Sequence, residues 1–515
     1  MGTDTILSFL IITICFAFSN AAHTDHPSSL CTQTPYPQLC ESLFVVHKLQ
    51  NSSTVRNLAL GATLARAQSA HDHISAMGTT PFPFNQLANL AWADCVNLYE
   101  DTLYKVRRAA AATTTTNDAQ TWLSAAITNH QTCQNGFTDF QLPFNFHPFH
   151  DIATDLLKHL SNSLAIINAL ALSPPPPSLP PTVNGRGSLA VGFPIWLSRS
   201  ERRLLRPNVA KSSADIVVAQ DGSGNYETVS EALAAAAALS SGGGRFVIYV
   251  KKGVYEENVV VTDSMNNFML VGDGIDATII TGNRSIGDGY TTFHSATLAV
   301  IGDGFMAREI TFENTAGPEN HQAVALRSGS DFSVFYRCSF KGYQDTLYVY
   351  SQRQFYAHCD IYGTVDFIFG DAIAVLQNCT IYVRKPMTSQ KNFVTAQGRS
   401  DPNQNTGIVI HNSHVTATED LRAVESSFPT YLGRPWEKYS RTVFLTCTLD
   451  SLIDPDGWFP WIENVAQTLY YGEYMNTGDG AQISGRVKWP GYHVITSAIV
   501  AQKLSVGDFL ACVTD

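Results

Sequence analysis

Two aspartates in the second half of the chain stand in surroundings that do not suit surface carboxylates. In CDIYGTVDFIFGD, residues 359–371, Asp366 lies between Val365 and the apolar run Phe367, Ile368, Phe369. Folding there strips a carboxylate of its hydration unless a partner or a proton compensates. In KGYQDTLY, residues 341–348, Asp345 directly follows Gln344. Each aspartate comes seven residues after a cysteine, Cys338 for Asp345 and Cys359 for Asp366. Cys338, Cys359 and Cys379 mark three similar segments, FYRCSF, FYAHCDI and VLQNCTI, separated by 21 and 20 residues. A period in the twenties with β-rich content predicts a solenoid of parallel strands, one coil per repeat, with equivalent residues stacked at about 4.8 Å. The two aspartates then share one lateral position on neighbouring coils, roughly 5–7 Å apart. The plainer alternative is a pair of aspartates capping turns in unrelated directions. The same stacking puts Cys359 and Cys379 within reach of a disulfide if their side chains face compatibly.

Two close carboxylates in aromatic surroundings cannot both ionise cheaply, so one keeps a proton while the other stays an anion. That combination supplies a nucleophile and a general acid. Gln344 beside Asp345, and Gln322 in HQAVALRSG one coil earlier, can donate hydrogen bonds without adding charge, as an oxyanion requires. Taken singly, each is as well explained as a surface glutamine. YLGRPWEKY places Arg434 and Trp436 two residues apart, on one face if extended. Arginine can hold an aspartate in its anionic form and tryptophan offers a flat face to a sugar ring, although a core tryptophan beside a structural ion pair fits equally. The physics leaves two chemistries open. Carboxylates about 5 Å apart also describe a retaining glycosidase, and the glutamines tilt the case towards a carbonyl substrate.

The elements that must hold these residues fall into two halves of the 515-residue chain. VRNLALGATLARAQSA, WADCVNLYEDTLYKVRRAAAA and DIATDLLKHLSNSLAIINALA carry apolar residues at spacings of three and four, and a four-helix bundle is the economical solution for residues 23–172. Cys31 with Cys40 and Cys95 with Cys133 would staple it, among three possible connectivities. A proline run, ALSPPPPSLPPT, opens a spacer over residues 173–210. Within the spacer, Arg202, Arg203, Leu204 and Leu205 form a dibasic stretch that an exposed linker would offer to a protease. From residue 211 short β runs alternate with Gly, Asp and Asn turns, with one helical insert, EALAAAAAL. The GlyAspGly triplets at 272–274 and 302–304 read as turns rather than calcium loops.

Residues 211–515 hold 21 Lys and Arg against 32 Asp and Glu, so the whole formal charge of −11 sits there. That balance argues against a nucleic-acid partner. The uncharged stretch Ile6–Phe18, followed by small residues, is too short to span a bilayer and reads as a secretory signal over residues 1–22. In an exported chain the cysteines are free to form disulfides, and no CxxC suggests zinc. The sequons at Asn51, Asn283 and Asn378 fit the same route.

GYTTFHSATLAV, HQAVALRSG, GYQDTLY, YGTVDFIFGD and YLGRPW, in that order and followed by YYGEYMNTGDGA, closely resemble the signature regions of plant pectin methylesterases. The first half, with CTQTPYPQLC, the ADC at 93–95 and TCQNGF, resembles the inhibitor domain found as a pro-region in many such precursors. The resemblance implies a right-handed parallel β-helix that hydrolyses the C6 methyl ester of homogalacturonan in the cell wall, without cofactor or metal. Carried over by position, Asp366 would be the nucleophile and Asp345 the acid and then base. Gln344 and Gln322 would stabilise the oxyanion, Arg434 would orient Asp366, and Thr292 and Trp436 would line the sugar cleft. RRLL at 202–205 resembles a site cut by subtilisin-like proteases, and separate inhibitor proteins become candidate partners. The resemblance leaves rivals: an inactive β-helix that only binds, and a β-helix polygalacturonase. It also leaves open whether the bundle inhibits or merely assists folding.

Overall fold

The computed structural model describes residues 30–44, 52–77, 85–142, 149–171, 192–240, 244–461 and 464–510; the apolar leader, Asn51, most of the proline run and Cys512 lie outside them. The first half is helical. After the short helix α1 (Pro37–Phe44) come four long helices, α2 (Ser52–Ala76), α3 (Gln86–Ala110), α4 (Thr116–Asp139) and α5 (Phe149–Ala171), which pack as a bundle. Asn85 and Thr115 cap α3 and α4 by accepting a backbone N–H three residues on. The bridges are Cys31–Cys40 and Cys95–Cys133.

Three of these helices contain the segments legible in the sequence, and α4 is the one whose pattern hid it. Every residue from Thr121 to His130 is buried. A helix covered all round shows no polar stripe. One side of α4 packs in the bundle through residues such as Leu123 and Phe137, and its other side lies on the second half of the molecule.

The second half is a parallel β-helix. Three sheets of 11, 7 and 8 strands run its length, and in each the hydrogen-bonded neighbours are separated in sequence by a full coil. Interior columns of like residues hold the coils together: Phe312, Phe340, Ile361, Ile381, Val415 and Leu449 lie in one lateral line, all buried. Burial of such a side chain contributes about 1.5–3 kcal/mol. The cysteine repeat marks a corner. The residue three positions before each column member, Glu309, Arg337, His358, Asn378, Asn412 and Thr446, has φ between 48° and 56° and turns the chain from one sheet to the next. The helical insert spans Val229–Leu239. Asp273 and Asp303 of the two GlyAspGly triplets are taken up by hydrogen bonds from Lys211 and Arg108 respectively.

Two expectations are corrected. Cys359 and Cys379 stack on adjacent coils but are free thiols. The Cys359 thiol donates to the carbonyls of Phe335 and Ala357, both at 3.4 Å, and the Cys379 thiol to Tyr356 and Gln377, at 3.8 and 3.4 Å. The coils bring the two thiols near one another, and each sulfur is engaged with backbone carbonyls rather than bonded to the other. The RRLL stretch is likewise not an exposed linker. Residues Arg199–Leu204 form helix α6, closed at Ser198 by a capping box with Glu201. Leu197 and Leu205 are buried against the eleven-stranded sheet, and the buried Arg308 donates to the carbonyls of Leu204 and Arg206. The folded second half therefore includes a strap from about residue 192, ahead of the expected boundary at 211.

Candidate active site

Strands Leu347–Val349 and Ile368–Gly370 pair with Leu347 opposite Ile368. Asp345 and Asp366, each two residues earlier, accordingly occupy one lateral position on neighbouring coils, as their spacing predicted. Both adopt left-handed backbone, with φ of 62° and 52°. Aspartate tolerates that region better than most residues. The Asp345 N–H donates to the Val365 carbonyl at 3.0 Å, which fixes the two corners together. Their exposures are 8% and 4%.

Their surroundings differ in one decisive respect. Arg434 grips Asp366 with both arms, Nε to Oδ1 at 2.8 Å and a terminal nitrogen to Oδ2 at 2.5 Å. The guanidinium is itself held between the rings of Phe393 and Trp461, 4.2 and 3.9 Å from their centroids. Burial raises the pKa of Asp366, and the hydrogen bonds and charge of Arg434 oppose that rise. Asp345 is raised well above the usual carboxylate range, first by burial and then by the charges of Asp366 and Asp139, with only the more remote Arg434 acting against it. The pair's proton therefore resides on Asp345 and its negative charge on Asp366.

Around the pair lies a cleft of about 210 Å³. Thr292, Gln322, Gln344, Asp345, Asp366, Arg434 and Trp436 all line it, so the seven catalytic and sugar-binding candidates meet in one place. Tyr348, Phe369, Phe293 and Trp461 line it too and were not foreseen. Tyr348 and Phe369 were recoverable, because each lies three residues after an aspartate and the two stack at 4.2 Å in register. Trp461 carries no such signal. Trp436 completes the aromatic floor, 5.8 Å from Phe369.

The far wall belongs to α4. Thr132, Asn135, Gly136, Thr138 and Asp139 face the aspartate pair across the cleft. Asp139 accepts the Thr292 N–H at 3.0 Å. Burial raises its pKa. Next to it, Asp94 of α3 accepts from Thr291 Oγ1 at 2.6 Å and contacts His294 Nδ1 with its other oxygen. The contact extends along the groove, with Arg108 to Asp303 (2.6 Å), Trp122 to Asp331 (3.1 Å), Asp118 to Arg353 (2.7 Å) and Thr128 to Asp371 (2.7 Å).

Residues 215–513 match the family model described as Pectinesterase, and residues 25–166 match the one described as Plant invertase/pectin methylesterase inhibitor. Pectinesterase 2 of Citrus sinensis is 48% identical over 98% of this chain and 96% of that protein. The probable pectinesterase/pectinesterase inhibitor 17 of Arabidopsis thaliana is 50% identical over the same shares. Among solved structures, pectin methylesterase from carrot is 59% identical with a TM-score of 0.57, covering 58% of this chain and 93% of that one. The Aspergillus niger enzyme is 33% identical with a TM-score of 0.51. The family models and the relatives cover both halves: the chain belongs to the pectinesterase family, with an inhibitor-type helical domain preceding its esterase β-helix.

Proposed function

We propose that this pectinesterase removes C6 methyl esters from homogalacturonan with Asp366 as nucleophile and Asp345 as acid and base. The observation that carries the assignment is the asymmetry of the pair, with Arg434 bonded to Asp366 alone. The Asp366 anion attacks the ester carbonyl carbon, and the amides of Gln322 and Gln344 donate to the oxyanion that develops. As the C–O bond to methanol breaks, Asp345 gives it a proton. This leaves an anhydride between Asp366 and the galacturonic carboxyl. Asp345, now an anion, takes a proton from water, whose oxygen attacks the galacturonyl carbon; the free acid leaves and Asp366 is regenerated.

The test is methanol release from highly methylated pectin by the β-helix with its strap, residues 192–515, with Asp366→Ala alongside and reducing ends assayed in parallel. Methanol without new reducing ends, lost in the variant, is the expected result. New reducing ends would point to glycosidic cleavage instead, and no methanol from a folded protein would point to a β-helix that only binds.

A second role concerns the bundle. Because α4 supplies the far wall of the cleft, with Asp139 beside the aspartates, the bundle is read as an inhibitor of its own β-helix. Residues 23–171 added separately should suppress methanol release; a pure folding aid would leave it unchanged. Export to the cell wall follows from the apolar leader and from the substrate. A subtilisin-like protease acting at RRLL would have to open α6 before it could cut.

A further inference from the structure

The β-helix carries upstream chain on two of its faces. The bundle's core is continuous with the seven-stranded sheet through Ala299, Tyr348 and Phe369. The strap joins a different cluster, with Met269, Met306, Val334 and Phe355 of the eleven-stranded sheet. Phe193 meets the rings of Phe355 and Tyr336 at 6.1 and 6.0 Å, Trp196 meets Phe332 at 5.2 Å, and Leu197 and Leu205 are 1% and 5% exposed. Gln377 donates to the Gly192 carbonyl at 3.0 Å, and Arg245 to Glu201 at 2.5 Å. Residues 192–205 thus lie on the β-helix as a bound peptide does, held by apolar anchors of their own.

The downstream end of this peptide has a particular chemistry beneath it. Leu205 is buried, whereas Arg206, Pro207 and Asn208 are all exposed, so the chain leaves the surface just after RRLL. Under that point lies Arg308, 1% exposed. It donates to the carbonyls of Leu204, at 3.4 Å, and of Arg206, one residue to either side of the Leu205 carbonyl. Its second terminal nitrogen donates to Glu309 at 2.8 Å, and its Nε is buried with no hydrogen-bond partner among the described residues. Glu309 also faces Arg337 at 4.0 Å, so one carboxylate serves two guanidiniums. The site is short of a negative charge and has a donor to spare.

We propose that Arg308 is a seat for the carboxylate created by a cut after Leu205, so that residues 192–205 stay docked and act as a non-covalent second anchor of the severed bundle. This rests on the reading of RRLL as a cleavage site. Hydrolysis of the Leu205–Arg206 bond leaves the oxygen of water on Leu205, as a carboxylate, and both of its protons on the Arg206 nitrogen, as an ammonium. The neutral Leu205 carbonyl becomes an anion between the two oxygens Arg308 already grips, and its bonds to the guanidinium are charge-assisted. A cut upstream of α6 would instead leave the strap with the β-helix and the bundle without this anchor. Joined through residues 172–191 to a docked strap, the bundle binds bivalently, and linkage of two contacts strengthens binding by about 10²–10⁴-fold over either alone.

A β-helix lacking the strap is suitable for the test. The carrot relative, 93% of whose chain is matched, is a folded protein covering 58% of this one, the share that residues 215–513 make up by themselves. Two synthetic peptides of residues 192–205, one ending in the free acid and the other in an amide, are titrated calorimetrically into residues 206–515. The free acid should bind about tenfold more tightly. Equal affinities overturn the carboxylate seat, and no binding of either peptide up to about a millimolar overturns the docking itself. In Arg308→Gln the two peptides should bind alike, and a tenfold difference persisting in that folded variant overturns Arg308 as the seat. Should the variant not fold, the native titrations decide. In a second arm, residues 23–205 and residues 23–191 are each added to residues 206–515 and methanol release is followed. The half-inhibiting concentration should be about 10²-fold lower with the strap, and equal values overturn the anchor. Inhibition by neither overturns the inhibitor reading of the bundle, and the titrations then decide the seat. Both arms use pieces already separated, so a protease that fails to cut at RRLL overturns the cleavage reading and not the seat.

Discussion

The two walls of the catalytic cleft present carboxylates to the same space and hold them by different means. On the β-helix wall Asp366 is gripped by Arg434, and Arg434 is held between Phe393 and Trp461, all from the same half of the molecule. On the bundle wall Asp139 and Asp94 bond to Thr292, Thr291 and His294, all across the boundary. One wall is braced from within and the other only by what it covers. The catalytic arrangement should therefore survive loss of the bundle, while the bundle's grip should be sensitive to single contacts.

The sharpest way to break this comparison is at Asp366. Asp366→Ala in residues 192–515 should lower methanol release by about 10⁴–10⁶-fold, as removal of a nucleophile does elsewhere. Near-native turnover would mean the braced wall is not the reactive one. Arg434→Lys keeps the charge but loses the fork, and a fall of about 10²-fold in kcat is expected from the misplaced carboxylate. On the other wall, Asp94→Ala in a separately added bundle should weaken inhibition by about 2–5 kcal/mol, the cost of truncating one side of a buried polar contact. A shift in the half-inhibiting concentration of less than a few-fold would show that the grip is spread more evenly.

Acidity should distinguish the walls as well. Asp139 and Asp345 both have pKa values raised by burial in the closed cleft, and burial pushes Asp371, bonded by Thr128 of α4, up to about 7. Docking thus takes up protons. Inhibition by added bundle should be strongest at acid pH, weaken as pH climbs from the ordinary carboxylate range, and level off above neutrality. Asp139→Asn should flatten the curve, and inhibition that strengthens with pH would contradict the arrangement. The smallest effect concerns the cysteines. A strong reductant should leave the melting temperature of residues 192–515 unchanged, since Cys359 and Cys379 are thiols. The bundle should lose about 2–4 kcal/mol per bridge.

The sequence revealed most where one residue type recurred at a fixed spacing. Cys338, Cys359 and Cys379 gave the coil length, and the coil length located the aspartate pair before any contact was known. Period-based reading failed at α4, where burial on every side left no contrast between faces and where Thr128, Asn129 and Thr132 serve the boundary rather than solvent. At RRLL the expectation of an exposed linker did not hold, because a capping box and two buried leucines make that stretch packed structure.

The strap has a consequence for timing. It lies on the β-helix, where Leu197 and Leu205 pack against the eleven-stranded sheet rather than against the bundle. Cutting the chain at or before α6 would leave Asp94, Asp139 and α4 where they are. Such a cut would remove the tether, and a tether can hold two linked halves at an effective concentration as high as about a millimolar. Proteolysis then acts as a permission, and dilution does the opening. The same severed molecule would stay silent in a crowded vesicle and become active as the bundle diffuses away into a larger volume.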